Sequence, residues 1–192
     1  AVHIRETALS PTAPEVAVSL IHLSIVVSQL GDLQQSRSLM ERALSILDPL
    51  ERDEPLDLAM GLNYYGNILR RQGEFAEARV PLERSLSIRE RILGASHPHV
   101  ARTLSRMGML EAVTGNYRGA LPLFQRALQI NEASLGANHA EIAGDLNEIG
   151  TMHRALGNMR EAQQSFERAL HIQKSTVGPQ HPFVAVTLNA LG

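Results

Sequence analysis

Three histidines, His97, His139 and His181, recur 42 residues apart, and imidazole nitrogens are common zinc ligands. The spacing argues against a shared ion. A residue repeated once per stacked unit recurs about a helix diameter away, ~10 Å, whereas zinc holds its ligands at ~2 Å. These histidines read instead as turn residues ahead of a helix, and His153 and His171 as ordinary polar residues on two different helices. Arginine forms a second ladder with the same period, Arg42, Arg84, Arg126 and Arg168. A guanidinium can hold a carboxylate bidentately. A position kept in register through every unit better fits a structural link, between neighbouring units or to acids such as Glu77 and Glu161. The motifs GxxxxGK[ST], HExxH, GxSxG and GxGxxG are absent. Acids and histidines follow the repeat register and do not converge. The chain reads as non-enzymatic, with no cofactor and no metal.

The element behind these ladders is a 42-residue unit, clearest over 94–135. Copies occupy 10–51, 52–93, 94–135 and 136–177, flanked by the end of a preceding unit over 1–9 and the start of a fifth over 178–192. Leucine holds one position five times: Leu20, Leu62, Leu104, Leu146 and Leu188. Isoleucine does the same at Ile4, Ile46, Ile88, Ile130 and Ile172, and glycine four times at Gly31, Gly73, Gly115 and Gly157. No insertion breaks the register. In the third unit Val100, Ala101, Leu104, Met107, Gly108 and Leu110 share the face of one helix. Pro14, Pro98 and Pro182 mark its start, where a missing N–H costs nothing, and the recurring glycine marks its stop. Asp32, Asn116 and Asn158 are favoured caps for a second helix, and Glu74 is a poorer one. That helix presents Tyr117, Ala120, Phe124, Ala127, Leu128 and Ile130 and runs to Leu135 before Gly136. Pro81 and Pro122 lie inside it and predict kinks, at up to ~3 kcal/mol each if unrelieved. Two helices and a tight turn make an αα-hairpin.

Composition narrows the class. With 44% hydrophobic and 20% charged residues, the chain can bury apolar surface and is not disordered by composition. A net charge of −2 argues against a generic nucleic-acid partner. Zero cysteines exclude disulfides and thiolate chemistry and fit a reducing, cytoplasmic setting. No apolar run reaches the ~18 residues of a membrane span, so no membrane partner is expected. Neither end carries a polar capping unit, so the chain reads as a segment of a longer array. Its cut ends predict end-to-end self-association through apolar faces.

The pattern Leu104, Met107, Gly108, then Gly115, Tyr117, Ala120, then Phe124, Ala127, Leu128 resembles the tetratricopeptide repeat. The 42-residue unit, with the linker LGASHPHVA over 93–101 and its echo VGPQHPFVA over 177–185, is similar to the kinesin light chain type. The first unit departs most, with Ser24 for glycine and Ser36 for alanine. The resemblance implies an all-α fold, an α-solenoid (right-handed superhelix) of stacked antiparallel helix-turn-helix repeats. It also implies an interaction scaffold that binds a protein or peptide segment in a concave groove lined by the first helices. A sensor or regulatory region of a larger signalling ATPase or protease is the alternative.

The family's groove positions fall here on Asn63, Asn67, Arg70 and Arg71, with Met60 and Tyr64. In the third unit they are Arg102, Ser105, Arg106 and Met109, with Ala112 and Val113. In the fourth they are Asn147, Thr151 and Arg154, with Gly144, Glu148 and Ala155; Asn189 follows in the fifth. Asparagine amides can pair with an extended backbone, and five arginines against Glu148 predict a peptide of acidic character. A carboxylate clamp of the family kind is incomplete, since Tyr64 stands where an asparagine would accompany Arg102 and Arg106.

Overall fold

The computed structural model describes residues 5, 7–53 and 55–191, so Ile4, most of the tail over 1–9, and Gly192 lie outside them. Every regular element among the described residues is helical. In order they are α1 (Pro14–Gln29), α2 (Leu33–Leu47) with a 3-10 turn (Asp48–Leu50), α3 (Pro55–Gln72) and α4 (Phe75–Leu93). Then come α5 (Pro98–Val113), α6 (Tyr117–Leu135), α7 (Ala140–Ala155), α8 (Met159–Thr176) and α9 (Pro182–Leu191). They pack as two compact units divided between Ala95 and Ser96.

In the first unit α1 and α2 form one hairpin, α3 and α4 the next, and α3 stacks on both helices of the first. The shared core joins Val16, Leu20 and Ile21 of α1, Met40 and Leu47 of α2, and Leu58 and Leu62 of α3. The departure at Ser24 and Ser36 is a matched pair, both side chains fully buried. Arg37 of α2 links the repeats. Its Nη1 lies 2.6 Å and 2.7 Å from the two Glu74 oxygens, and its Nε donates to Glu41 at 2.8 Å. Tyr65 donates to the same Glu41 oxygen at 2.9 Å. The Arg37 bond holds the Glu41 carboxyl below its ordinary range, against the opposing effect of burial. Burial, then the bond to Glu41, pushes the Tyr65 phenol up. Glu74 makes no side-chain cap for α4; its carboxylate is spent on Arg37.

In the second unit the pairs α5–α6 and α7–α8 stack through α6 and α7, and α9 packs on α8. Phe124 and Phe166, each buried, fill the space inside their hairpins. A Cβ on Gly108 would come within 2.9 Å of the Phe124 ring, and one on Gly150 within 2.7 Å of Phe166, so only glycine admits the aromatic there. The turns follow from backbone chemistry. Gly115 sits at φ 82°, Asn116 N donates to Glu111 O at 2.8 Å and Gly115 N to Ala112 O at 3.0 Å. These are the two crossed bonds of a Schellman ending, and they satisfy carbonyls the helix leaves open. Asn116 then caps α6 by accepting from Gly119 N at 3.1 Å. Both α4 and α6 run unbroken through Pro81 and Pro122, so neither proline ends its helix.

Two arginines of the ladder, Arg84 and Arg168, link consecutive repeats, through acids other than Glu77 and Glu161. Arg84 of α4 pairs with Asp48 at 2.5 Å and Glu51 at 2.7 Å, beyond the end of α2. Arg168 of α8 pairs with Glu132 of α6 at 2.5 Å. The partners lie at the end of the preceding second helix, in place of Glu77 and Glu161.

Candidate functional site

A groove of about 780 Å³ opens in the second unit. Its floor comes from three first helices. The α5 helix presents Pro98, Arg102, Ser105 and Met109, spaced by four, three and four residues so that they share a face. The α7 helix presents Glu141, Gly144, Asp145, Asn147 and Glu148, and α9 adds Phe183 and Val186. The last turns of the second helices close the sides, with Asn131 and Leu135 from α6, Gln173 and Thr176 from α8, and Val177 just past its end.

The three histidines of the period position these floor helices. His97 Nδ1 accepts from His99 N at 3.1 Å, His139 Nδ1 from Glu141 N at 3.3 Å and His181 Nδ1 from Phe183 N at 3.2 Å. Each satisfies an N–H that the helix start leaves open. Among the described residues no three His, Asp or Glu side chains gather closely enough to hold a metal ion, and no helix is long and apolar enough to cross a membrane.

Of the residues expected in the groove, Arg102, Ser105, Met109 and Asn147 line it, with Gly144 and Glu148. Ser105 Oγ donates back to Ala101 O at 3.1 Å. The Asn147 amide faces its own fold, its Nδ2 donating to Thr187 Oγ1 of α9 at 2.9 Å. Arg106 is half-buried and outside the lining. Thr151, also outside it, donates to Asn147 O at 2.8 Å. Arg154 donates to Ala190 O at 3.1 Å and lies 5.6 Å above the Phe166 ring. Asn189 is exposed on α9 and lies outside this lining.

The set expected on α3 is drawn into packing. Asn63 is fully buried, because its position on α3 turns inward with Leu62 and cannot meet a ligand. Arg71 donates to Ser28 O at 3.0 Å and to the Ser28 hydroxyl, tying α3 to α1. Arg70 Nη2 donates to Asn67 Oδ1 at 3.1 Å. The predicted arginine excess therefore does not gather in the groove. Among its lining residues Arg102 stands against Glu141, Asp145 and Glu148, so the charge there is net acidic, opposite to the expectation.

Asp145, Asn131 and Gln173 were missed by the sequence reading. Asn131 Nδ2 donates to Asp145 Oδ2 at 2.7 Å, joining α6 to α7. Burial pushes the Asp145 carboxyl above its ordinary value, the Asn131 bond opposes that shift, and Glu141 and Glu132 reinforce it. A signal was present. Asn131 and Gln173 hold the same position of successive repeats, so an amide recurs wherever a second helix ends beside the groove.

Residues 57–133, 99–175 and 141–192 each match the tetratricopeptide repeat family, the three matches starting 42 residues apart. Among solved structures, the fold is similar to BtubC (BKLC) from P. vanneervenii, at 21% identity and TM-score 0.78 over 88% of this chain and 68% of that one. It is also similar to the nearly identical TPR-like repeats of a Podosopora anserina protein named as a kinesin light chain, at 21% identity and TM-score 0.80 over 93% of this chain and 85% of that one. At this identity the likeness speaks for the fold alone. No curated protein matches the chain. Three family matches in one register, on helix hairpins with the repeat's glycine, alanine and aromatic contacts in place, show that the chain belongs to the tetratricopeptide repeat family.

Proposed function

We propose that this chain is a non-catalytic protein-interaction scaffold that holds an extended peptide or protein segment along the first helices of its second unit. The observation that carries this reading is the groove itself: about 780 Å³, open along α5, α7 and α9. Its lining combines the apolar Met109, Leu135, Phe183 and Val186 with carboxylates and amides. Mixed linings of this kind bury apolar side chains while fixing orientation through a few polar groups. The unbroken 42-residue register supports reading the chain as one array.

Gly144 supplies the test. It lies on the groove floor, and a Cβ there meets nothing within 4 Å, so a side chain at this position starts into open space and Gly144→Phe is the variant chosen to fill the groove. A soluble peptide library is screened against the 192-residue chain, and the best peptides are titrated against both proteins. Peptides that bind the parent and lose at least about tenfold in affinity for a folded Gly144→Phe, equal to ~1.4 kcal/mol, support the reading. Peptides that bind both proteins equally overturn it.

A further inference from the structure

Resting on that reading, we propose that the groove selects a peptide carrying a basic side chain, Lys or Arg, received between Asp145, Glu141 and the amide of Gln173. Glu141, Asp145 and Glu148 sit at i, i+4 and i+7 of one helix and so share its face. They rise over roughly 10 Å, a spread that suits an elongated chain. With Arg102 counted against them, the lining keeps two negative charges in excess.

Gln173 points to the same ligand independently. It lines the groove and is only 6% exposed, and its Oε1 is buried with no hydrogen-bond donor. A buried acceptor left without a donor is costly. The equivalent residue one repeat earlier, Asn131, is satisfied by Asp145 of the next first helix. The residue matching Asp145 in the following repeat is Thr187, already bonded to Asn147. This side of the groove therefore offers two carboxylates and one unused acceptor, and what the Gln173 oxygen lacks is a donor. A guanidinium or an ammonium brings donors and positive charge together. Asp145, held protonatable by burial and by like charges, gains from a cation the neighbour its own repeats do not supply. Met109 and Leu135 give apolar surface for the methylene stem.

The experiment uses the full chain and a positional-scanning library of decapeptides, N-acetylated and C-amidated so that no terminal charge takes part. Parent, Gly144→Phe, and the double variant Glu141→Gln with Asp145→Asn are compared. The proposal expects Lys or Arg enriched at one position, binding blocked by Gly144→Phe, and about tenfold weaker affinity for the double variant. The same peptides with Gln in place of Lys or Arg should then bind parent and double variant alike. Peptides blocked by Gly144→Phe but showing no preference for Lys or Arg, or a preference for Asp or Glu, overturn the proposal and leave the groove reading standing. Peptides indifferent to Gly144→Phe overturn both.

Discussion

Ser24 and Ser36 hydrogen-bond each other's backbone across the first hairpin. Ser24 Oγ donates to Ser36 O at 2.8 Å, Ser36 Oγ donates to Ser24 O at 2.9 Å, and the two hydroxyls lie 2.9 Å apart. The other repeats place glycine and alanine here and fill the space from Leu82, Phe124 or Phe166. The first repeat has Met40, leaving room for two hydroxyls that must then be satisfied in the dry interior. Each bond is worth ~1 kcal/mol net. Ser24→Ala and Ser36→Ala should each destabilise by about 1–2 kcal/mol, and the double variant by less than the sum. Urea titrations of all four proteins check this; strict additivity would show that the pair is not coupled.

Glycines on neighbouring turns of one helix should respond in opposite directions. Gly144 and Gly150 both lie in α7. A Cβ at Gly144 meets open space, while one at Gly150 strikes Phe166. Gly144→Ala should stabilise by about 0.5–1 kcal/mol through reduced chain entropy and better helix propensity. Gly150→Ala, and Gly108→Ala against Phe124, should destabilise by about 1–3 kcal/mol through overpacking. Thermal melts give the sign directly, and the same sign for both α7 glycines would refute the packing account.

The contrast shows what the sequence made legible. The period, the hairpins, the glycine turns and the histidine starts could all be read because each is local. A proline at the first helical position or a glycine past the last acts within a few residues. The groove's chemistry could not be read in the same way. Whether Asn147 faces a ligand or Thr187, and whether Arg71 faces solvent or Ser28, depends on a residue about 40 positions away on a neighbouring first helix. Counting arginines on a face treats those partners as absent and predicts a basic surface, whereas the groove lining sets Arg102 against Glu141, Asp145 and Glu148. Asn63 failed for the same reason, since a polar type at a surface register says nothing of what stacks over it.

The histidine starts yield a third prediction. His97 Nδ1 caps α5, the helix that carries Arg102, Ser105 and Met109 into the groove. Replacing a capping acceptor with alanine costs ~1 kcal/mol, within a range of about 0.5–2, while other capping types retain the bond. His97→Ala should therefore lower stability by about that amount and His97→Asn by much less. Hydrogen exchange in the first turn of α5 separates loss of the cap from a general effect, because only a cap loss speeds exchange there first.

Asp145 supplies a pH dependence with a definite sign. Asn131 and Glu132 on α6 and Glu141 on α7 act on it, and Glu148 on α7, Gln173 on α8 and Arg102 on α5 line the same groove. Burial, reinforced by Glu141 and Glu132, raises its carboxyl above the ordinary value of 3.8. The folded protein then keeps this proton to a higher pH than the unfolded chain does. Between the unfolded value and the raised folded one, the native state binds more protons, so this group's contribution to stability falls as pH rises and levels off above the folded value. Asp145→Asn keeps an oxygen to accept from Asn131 and removes the charge. The variant should match the parent at strongly acid pH and melt at progressively higher temperature than the parent as the pH is raised to neutrality. Glu141→Gln should shift stability in the same direction by a smaller amount, since it removes only one of the repelling charges. Glu132→Gln is a poorer probe, because it also removes the charge that pairs with Arg168. A bound peptide with a basic side chain should reverse the trend, since a cation beside Asp145 favours its ionised form and binding then weakens on acidification. Melting curves of the parent and Asp145→Asn from acid to neutral pH decide the matter; a difference between them that stays constant across the range would mean that Asp145 is not perturbed by its burial.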